Sequence, residues 1–136
     1  MFLQVIIPEQ VREEVLFNNK PGSITINGAI QEGWIKVTPC NNNPVYGLGD
    51  GEEAAIHLAR ERREQFLTDD NAAIQVAKAL NIPVIRTSSI IILAASKKLI
   101  SKDEAVACID AMIAAGQYMT TLDYGRIRKV LDELKK

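Results

Sequence analysis

The sequence predicts an α/β fold on a mostly parallel sheet, with either two or three layers. Short apolar segments rich in β-branched residues alternate along the 136 residues with longer segments of helical periodicity. The first segment, FLQVIIP at 2–8, is almost continuously apolar, as in a strand that is buried on both faces of a parallel sheet. The length and the 47% hydrophobic content fit one domain over residues 1–136.

The N-terminal part continues with a helix, an ambiguous segment and a second strand. Pro8 opens a helix over 8–18, because proline is tolerated at an early helical position. The turn-rich NNKPGS then interrupts the chain, and periodicity does not decide between helix and strand for ITINGAIQEG at 24–33. WIKVTP at 34–39 predicts a strand that carries Trp34 toward the core.

The middle of the chain predicts a loop, a helix, a strand and another helix. CNNNPVYGLGDG at 40–51 is rich in turn residues, and the helix predicted over 52–63 follows its last glycine. QFLTDD at 65–70 predicts a short buried strand, and NAAIQVAKALN at 71–81 predicts a helix. The residues of this helix expected to face inward are Ala73, Val76, Ala77 and Leu80.

The C-terminal part predicts a strand and three helices. IPVIRT at 82–87 is a short apolar run, and SSIIILAASKKL at 88–99 predicts a buried helix, although its apolar run alone fits a strand equally well. A Ser-x-x-Glu capping box opens the helix predicted over 101–116, which ends at a glycine. The last segment, at 120–136, predicts an amphipathic helix.

Acidic residues lie at positions where helical geometry predicts apolar ones. Glu14 and Glu52 each fall on the apolar stripe of their helix, and Asp69 and Asp70 lie where a strand passes into a helix. Ligands of open parallel sheets bind outside the carboxyl ends of the strands, so Glu52 and Asp70 are expected to meet there. N-capping by Asp70 and a favourable interaction of Glu52 with the helix dipole explain the same residues, and neither role excludes metal binding.

Several other polar residues are of types that occur in functional sites. Thr87, Ser88 and Ser89 are expected either to cap the helix that begins there or to contact phosphate or metal-bound water. The single histidine, His57, has no serine or cysteine nucleophile pattern beside it, which argues against a catalytic triad. Cys40 and Cys108 lack the spacing of a zinc site or a disulfide framework.

Charge and hydropathy exclude some classes of protein. A net charge of −1 argues against a generally basic nucleic-acid coat, and the Arg60, Arg62 and Arg63 cluster fits a solvated helix face. No apolar run approaches 18 residues, so no membrane span is expected. The N-terminus lacks a basic region and a cleavage site, so a cytoplasmic protein without a signal peptide is expected.

Six segments along the whole chain follow one another in a recognisable order. They are VIIPEQVREEV at 5–15, GWIKV at 33–37, LGDGEEAAIHLA at 48–59, FLTDDNAAIQVAKALNIPVIRT at 66–87, KKLI at 97–100 and the AGQYMTTLDYGRIRKVL ending. This order resembles the PIN-domain family, the metal-dependent nucleases that include toxins of bacterial toxin–antitoxin pairs, and in particular a PIN-like subgroup of largely uncharacterised prokaryotic proteins.

The resemblance implies a three-layer α/β/α fold and a metal-dependent hydrolase. Glu14, Glu52 and Asp70 would be its catalytic, metal-binding acids, with Asp69 sharing the metal role. The cofactor would be Mg²⁺ or Mn²⁺, the reaction hydrolysis of an RNA phosphodiester, and an antitoxin protein a further partner. Predicted contacts to substrate or water are Thr68, Asn71, Thr87 and Ser88. Ala54 departs from the subgroup, which often has a second acid there.

A larger departure is that family members have an earlier strand with an aspartate, followed by a helix, before the part that matches this chain. From Met1 onward the sequence lacks both, so we expect an N-terminally truncated sheet. Its gap would be closed either by a shift of the MFLQVII segment into the vacancy or, as we prefer, by a second copy in a homodimer. The loss also leaves a catalytically inactive interaction module as the alternative to a ribonuclease. A receiver-like or nucleotide-binding domain is a weaker third hypothesis, since this sequence lacks a phosphate-loop motif.

Overall fold

The computed structural model describes residues 4–17, 22–40, 44–117 and 119–134. The described residues form four short strands and seven helices, which confirms the predicted α/β class. The chain divides into two compact units, Met1–Val84 and Ile85–Lys136. None of the helices in the described segments has the length and apolar character that a bilayer crossing requires.

The elements follow the predicted order, with boundaries that differ by a few residues. They are β1 (Val5–Pro8), α1 (Glu9–Phe17), α2 (Ser23–Glu32), β2 (Ile35–Thr38), α3 (Asp50–Arg62), β3 (Phe66–Leu67), α4 (Asn71–Ala79), β4 (Val84–Ile85), α5 (Thr87–Ser96), α6 (Lys102–Ala114) and α7 (Thr121–Glu133).

Two small sheets hold the strands. β1 and β2 run parallel with Val5 opposite Ile35 and Pro8 opposite Thr38, as the apolar first segment predicted. β3 pairs with β4 in a second two-stranded sheet, beside which the Phe66 N–H donates to the Pro83 carbonyl at 2.8 Å. Pro8 is the last residue of β1 rather than the first of α1, so α1 begins one residue later than predicted.

The ambiguous segment at 24–33 is the helix α2. Glycines bound it, Gly22 with a φ of 88° and Gly33 with a φ of 93°, and both angles favour glycine because a side chain would be strained there. The Gly33 N–H donates to the Ala29 and Ile30 carbonyls and so ends the helix. These terminal signals, rather than the weak apolar periodicity, identify the helix.

The core of the first unit lies between α3, α4 and β3. Its buried side chains are Ile56, Ala59, Phe66, Ala73, Ala77 and Ile82. Ala73 and Ala77 face this core as predicted, with Val76 and Leu80 packed partly buried against it. The prediction for Trp34 is wrong: it precedes β2 and is 50% exposed. Ile35 instead provides the buried residue at that end of the strand, because successive strand residues point to opposite faces.

The second unit contains three helices and a smaller core of Ala95, Ala105 and Leu131. Ser101 and Glu104 form the predicted capping box of α6, and Thr120 caps α7 through the Asp123 N–H. The apolar segment at 88–99 is helical, but only Ala95 of α5 is fully buried, so the prediction of a buried helix is wrong. The N-cap of α5 is Arg86. The predicted capping residues Thr87, Ser88 and Ser89 lie inside the helix instead.

Candidate functional site

Glu14 of α1 binds the N-terminal turn of α3. Its Oε1 accepts a hydrogen bond of 3.0 Å from the Gly51 backbone N–H, 37 positions further along the chain. A Cβ atom on residue 51 would lie 2.6 Å from Glu14 Oε2, so glycine is needed for this approach. Glu14 is exposed rather than directed into the core, which corrects the inward position inferred from the apolar stripe. A carboxylate here interacts favourably with the positive end of the α3 dipole.

Glu52 lies one residue further along the same turn and is partly buried. Loss of solvation raises the pKa of its carboxyl, and repulsion from Asp70 and then from Glu14 raises it further. A hydrogen bond from the Gly49 N–H acts in the opposite direction without cancelling these effects. Glu52 therefore lies within electrostatic range of both other predicted acids, Asp70 and Glu14.

Asp70 is the N-cap of α4 and accepts a hydrogen bond of 2.8 Å from the Ala73 N–H through Oδ2. The Asp70 N–H donates to Thr68 Oγ1 at 3.2 Å, so Thr68 fixes the turn between β3 and α4. Asn71 is the exposed first residue of α4, and Asp69 is partly buried. The capping role predicted for Asp70 is therefore present. The bond uses Oδ2, and Oδ1 of the same carboxylate is a second oxygen acceptor.

Glu53, which the stripe argument passed over, is the buried acid of α3. It is 1% exposed and accepts hydrogen bonds from the backbone N–H groups of Val45 at 3.3 Å, Tyr46 at 2.8 Å and Leu48 at 3.2 Å. Burial alone would raise the pKa of this carboxyl, but the three N–H donors, helped by His57, hold it below its usual range. No pattern in the sequence distinguishes Glu53 from Glu52, because the donors lie in an irregular loop.

The three predicted acids do not form a closed metal cage. Within the described segments, no three aspartate, glutamate, histidine or cysteine side chains are close enough together to hold an ion directly. Glu14, Glu52 and Asp70 each accept a backbone N–H near the start of a helix. The arrangement thus places two other carboxylates within repulsive range of Glu52, and helix N-termini fix the positions of all three. Thr87 and Ser88 belong to the other compact unit, where they begin α5.

The comparisons with known proteins give one match. The model of the DUF3368 family, described as a PIN domain, matches residues 1–133. No curated protein and no solved structure matches the chain. PIN domains have a nuclease-type fold of the mixed α/β kind seen here, and in general they use divalent metals and bind RNA.

Proposed function

The chain belongs to the PIN-domain family, and we propose that it is a divalent-metal-dependent endoribonuclease that cleaves single-stranded RNA. Glu14, Glu52 and Asp70 would be the metal-binding acids, with Asp69 beside them. The narrower form of the proposal is a toxin that is neutralised by an antitoxin protein. The observation that carries the proposal is that Glu52 of α3 is repelled both by Asp70 at the start of α4 and by Glu14 of α1.

The raised pKa of Glu52 supports cation binding at this place. Repulsion among carboxylates disfavours their ionised forms, and a divalent cation between them would offset it. Mg²⁺ keeps several of its waters and uses one or two carboxylates directly, so the separated acids fit a hydrated ion better than an enclosed one. When bound, the metal would supply a water of lowered pKa and stabilise charge on the phosphate.

The chain's own residues would orient this chemistry. The Gly51 amide would hold Glu14 and the Gly49 amide Glu52, so that neither carboxylate needs to reorganise when the metal binds. Asp70 would be fixed by the Ala73 N–H. Thr68, through its contact with the Asp70 backbone, would hold the turn that presents this carboxylate, and Asn71 would lie within reach of substrate or water.

The test is cleavage of a labelled single-stranded RNA with Mg²⁺ or Mn²⁺, compared with EDTA. Asp70→Asn and Glu52→Gln should each lower the rate by about 100-fold, because charge is removed while shape remains. Asparagine is also a favourable N-cap, so Asp70→Asn should fold normally. Glu61→Gln is the matched control, since Glu61 is an exposed acid on the same helix α3 and should retain full activity.

Three results would count against the proposal. Cleavage that persists in EDTA would remove the metal mechanism. Equal losses in Glu61→Gln and Glu52→Gln would mean that net charge, rather than the site, determines activity. A well-folded wild-type chain that is inactive with every divalent ion would favour the second candidate, a protein-interaction module.

The observation in favour of the interaction module is apolar surface in the first unit. Phe17, at the end of α1, is 86% exposed, and Ile24, near the start of α2, is 88% exposed. Exposed apolar side chains of this size are typical of binding surfaces when they lie together. The partner would be an antitoxin protein or a second copy of the chain, as in the predicted homodimer.

Light scattering at micromolar concentration tests the second copy. A homodimer would have twice the chain mass of 15.0 kDa, and Ile24→Lys should return it to the monomer mass if α2 forms the interface. Leu99→Lys is the matched control, because Leu99 is an exposed leucine of the other unit. A folded wild-type monomer would exclude the homodimer and leave a different protein as the only partner of this surface.

A further inference from the structure

Beyond the acidic residues, α3 carries a cluster that the proposed chemistry does not use. Tyr46, His57 and Arg60, here called the Tyr46 cluster, bring an aromatic ring, an imidazole and a guanidinium together. The Tyr46 and His57 ring centroids are 5.4 Å apart with planes inclined by 34°. Arg60 Nη1 donates to the Tyr46 hydroxyl at 3.4 Å on the protein surface.

The Tyr46 cluster has a rigid base. Glu53, His57 and Arg60 lie on one face of α3, since they are spaced by four and three residues. Glu53 is buried beneath the loop and binds three of its N–H groups, including that of Tyr46 itself. His57 Nε2 lies 3.8 Å from the same carboxylate. The loop therefore presents Tyr46 in a fixed position, which lowers the entropic cost of binding a ligand there.

The Tyr46 cluster reaches the solvent and contains hydrogen-bond donors. Tyr46 packs partly buried on the first-unit core, His57 retains 27% of its side-chain exposure, and Arg60 is exposed. A guanidinium has five N–H donors, and in the described part of the chain Arg60 uses one of them, on a long hydrogen bond. Arg63, the C-cap of α3, is also exposed and adds positive charge at this end of the helix.

We propose that the Tyr46 cluster is a binding subsite for a single-stranded nucleic acid, with a base stacked on Tyr46 and its phosphate bound by Arg60. This inference rests on the proposed function, because it names where the substrate chain would lie next to the acids. An aromatic face beside a cation is the combination that binds single strands without sequence preference. Arg60 lies about 12 Å along the helix from Glu52, so a strand held here would extend toward the acidic residues.

Structural roles explain only part of this arrangement. An arginine in the last turn of α3 interacts favourably with the negative end of the helix dipole, and Tyr46 packs against the core. The dipole does not distinguish Arg60 from Arg62, which lies in the same turn and is also exposed. At 100° per residue, Arg62 points about 200° away from Arg60 around the helix. Comparing substitutions of Arg60 and Arg62 therefore distinguishes a local subsite from general attraction by positive charge.

The test measures binding of a fluorescently labelled single-stranded oligoribonucleotide in EDTA, by anisotropy, so that metal-dependent cleavage cannot interfere. Tyr46→Leu keeps apolar contact with the core and removes the stacking face, so it should weaken binding by about tenfold. Tyr46→Phe should bind like the wild type. Arg60→Ala should also weaken binding and lower the slope of log affinity against log salt by about one, whereas Arg62→Ala should leave the slope unchanged.

Specific outcomes would overturn the inference. Equal losses for Arg60→Ala and Arg62→Ala would mean diffuse charge attraction, and unchanged binding by Tyr46→Leu would remove stacking. Affinity for duplex RNA equal to that for the single strand would also exclude stacking, since the bases of a duplex are not free to stack on Tyr46. A folded chain that binds no oligonucleotide would leave this surface to a protein partner. Thermal unfolding monitored by circular dichroism would verify that every variant is folded.

The inference and the proposed function fail in different ways. Binding that needs Tyr46 and Arg60, without cleavage under any divalent ion, would support the subsite and reject the ribonuclease. Cleavage that is lost in Asp70→Asn, with RNA affinity unaffected by Tyr46→Leu, would support the ribonuclease and reject the subsite.

Discussion

The helices α3 and α6 are both 13 residues long and both carry acids in their first turn, yet their N-terminal amides are bound differently. At α6, Ser101 and Glu104 bind each other's backbone N–H groups in a capping box. At α3, the N-cap Gly49 offers no side chain, and the Gly51 amide is bound by Glu14 of another helix.

The difference shows what each helix start can do. A capping box uses its acid locally, so Glu104 is committed to its own helix. At α3 the amides are bound by carboxylates that also repel one another, and a cation could relieve that repulsion. Gly51 of the GDG turn permits this, because it leaves room for the Glu14 carboxylate of α1. Substitutions at three positions would test the comparison, in decreasing order of expected effect.

Removing the buried acid of α3 should have the largest effect. Glu53→Leu would leave the N–H groups of Val45, Tyr46 and Leu48 without their acceptor, and we expect a loss of about 3 kcal/mol in unfolding free energy. Urea unfolding measures it. Glu53→Gln, which keeps one acceptor oxygen, should lose less. If Glu53→Leu were as stable as the wild type, the loop would not depend on this carboxylate.

The same acid predicts a pH dependence of stability. The pKa of Glu53 in the folded chain lies below the value of 4.5 for a free glutamate, so its ionised form stabilises the fold. That stabilisation is present above pH 4.5 and is lost as the pH falls through the folded-state pKa. Unfolding free energy below pH 4.5 should therefore fall less steeply in Glu53→Gln than in the wild type.

Adding one methyl group at Gly51 should separate function from stability. In Gly51→Ala the new Cβ would displace the flexible Glu14 carboxylate, which it would otherwise approach to 2.6 Å. Alanine favours helix over glycine, so the thermal midpoint should not decrease. RNA cleavage should fall by about 100-fold, as expected for a ligand that is displaced by an ångström. Unchanged cleavage would show that the Glu14 position does not matter.

The capping box of α6 should show the smallest and purely structural effect. Ser101→Ala removes the acceptor of the Glu104 N–H and should cost about 1 kcal/mol of unfolding free energy, with RNA cleavage unchanged. Chemical unfolding and the cleavage assay applied to one preparation measure both quantities. A lower cleavage rate in a preparation of Ser101→Ala that is fully folded would mean that α6 contributes to function as well.

Features that depend on neighbouring residues were predictable from the sequence. The apolar run of β1, the inward face of α4, the Asp70 N-cap and the Ser101 capping box are contiguous patterns, and all are present. The Trp34 and α5 predictions failed because burial depends on what packs against an element, which a local pattern does not contain. The α2 segment was ambiguous because its ends, rather than its periodicity, define it.

By itself, the sequence determined the order of helices and strands, the local caps and the acids that the family resemblance singled out. Only the tertiary structure decided which acid of the Glu52 and Glu53 pair is buried, since the deciding hydrogen bonds come from an irregular loop. It also decided that Glu14 binds the amide of Gly51 and that Tyr46 meets His57 and Arg60. Contacts between distant positions require the chain to fold back on itself, and no periodicity along the sequence encodes them.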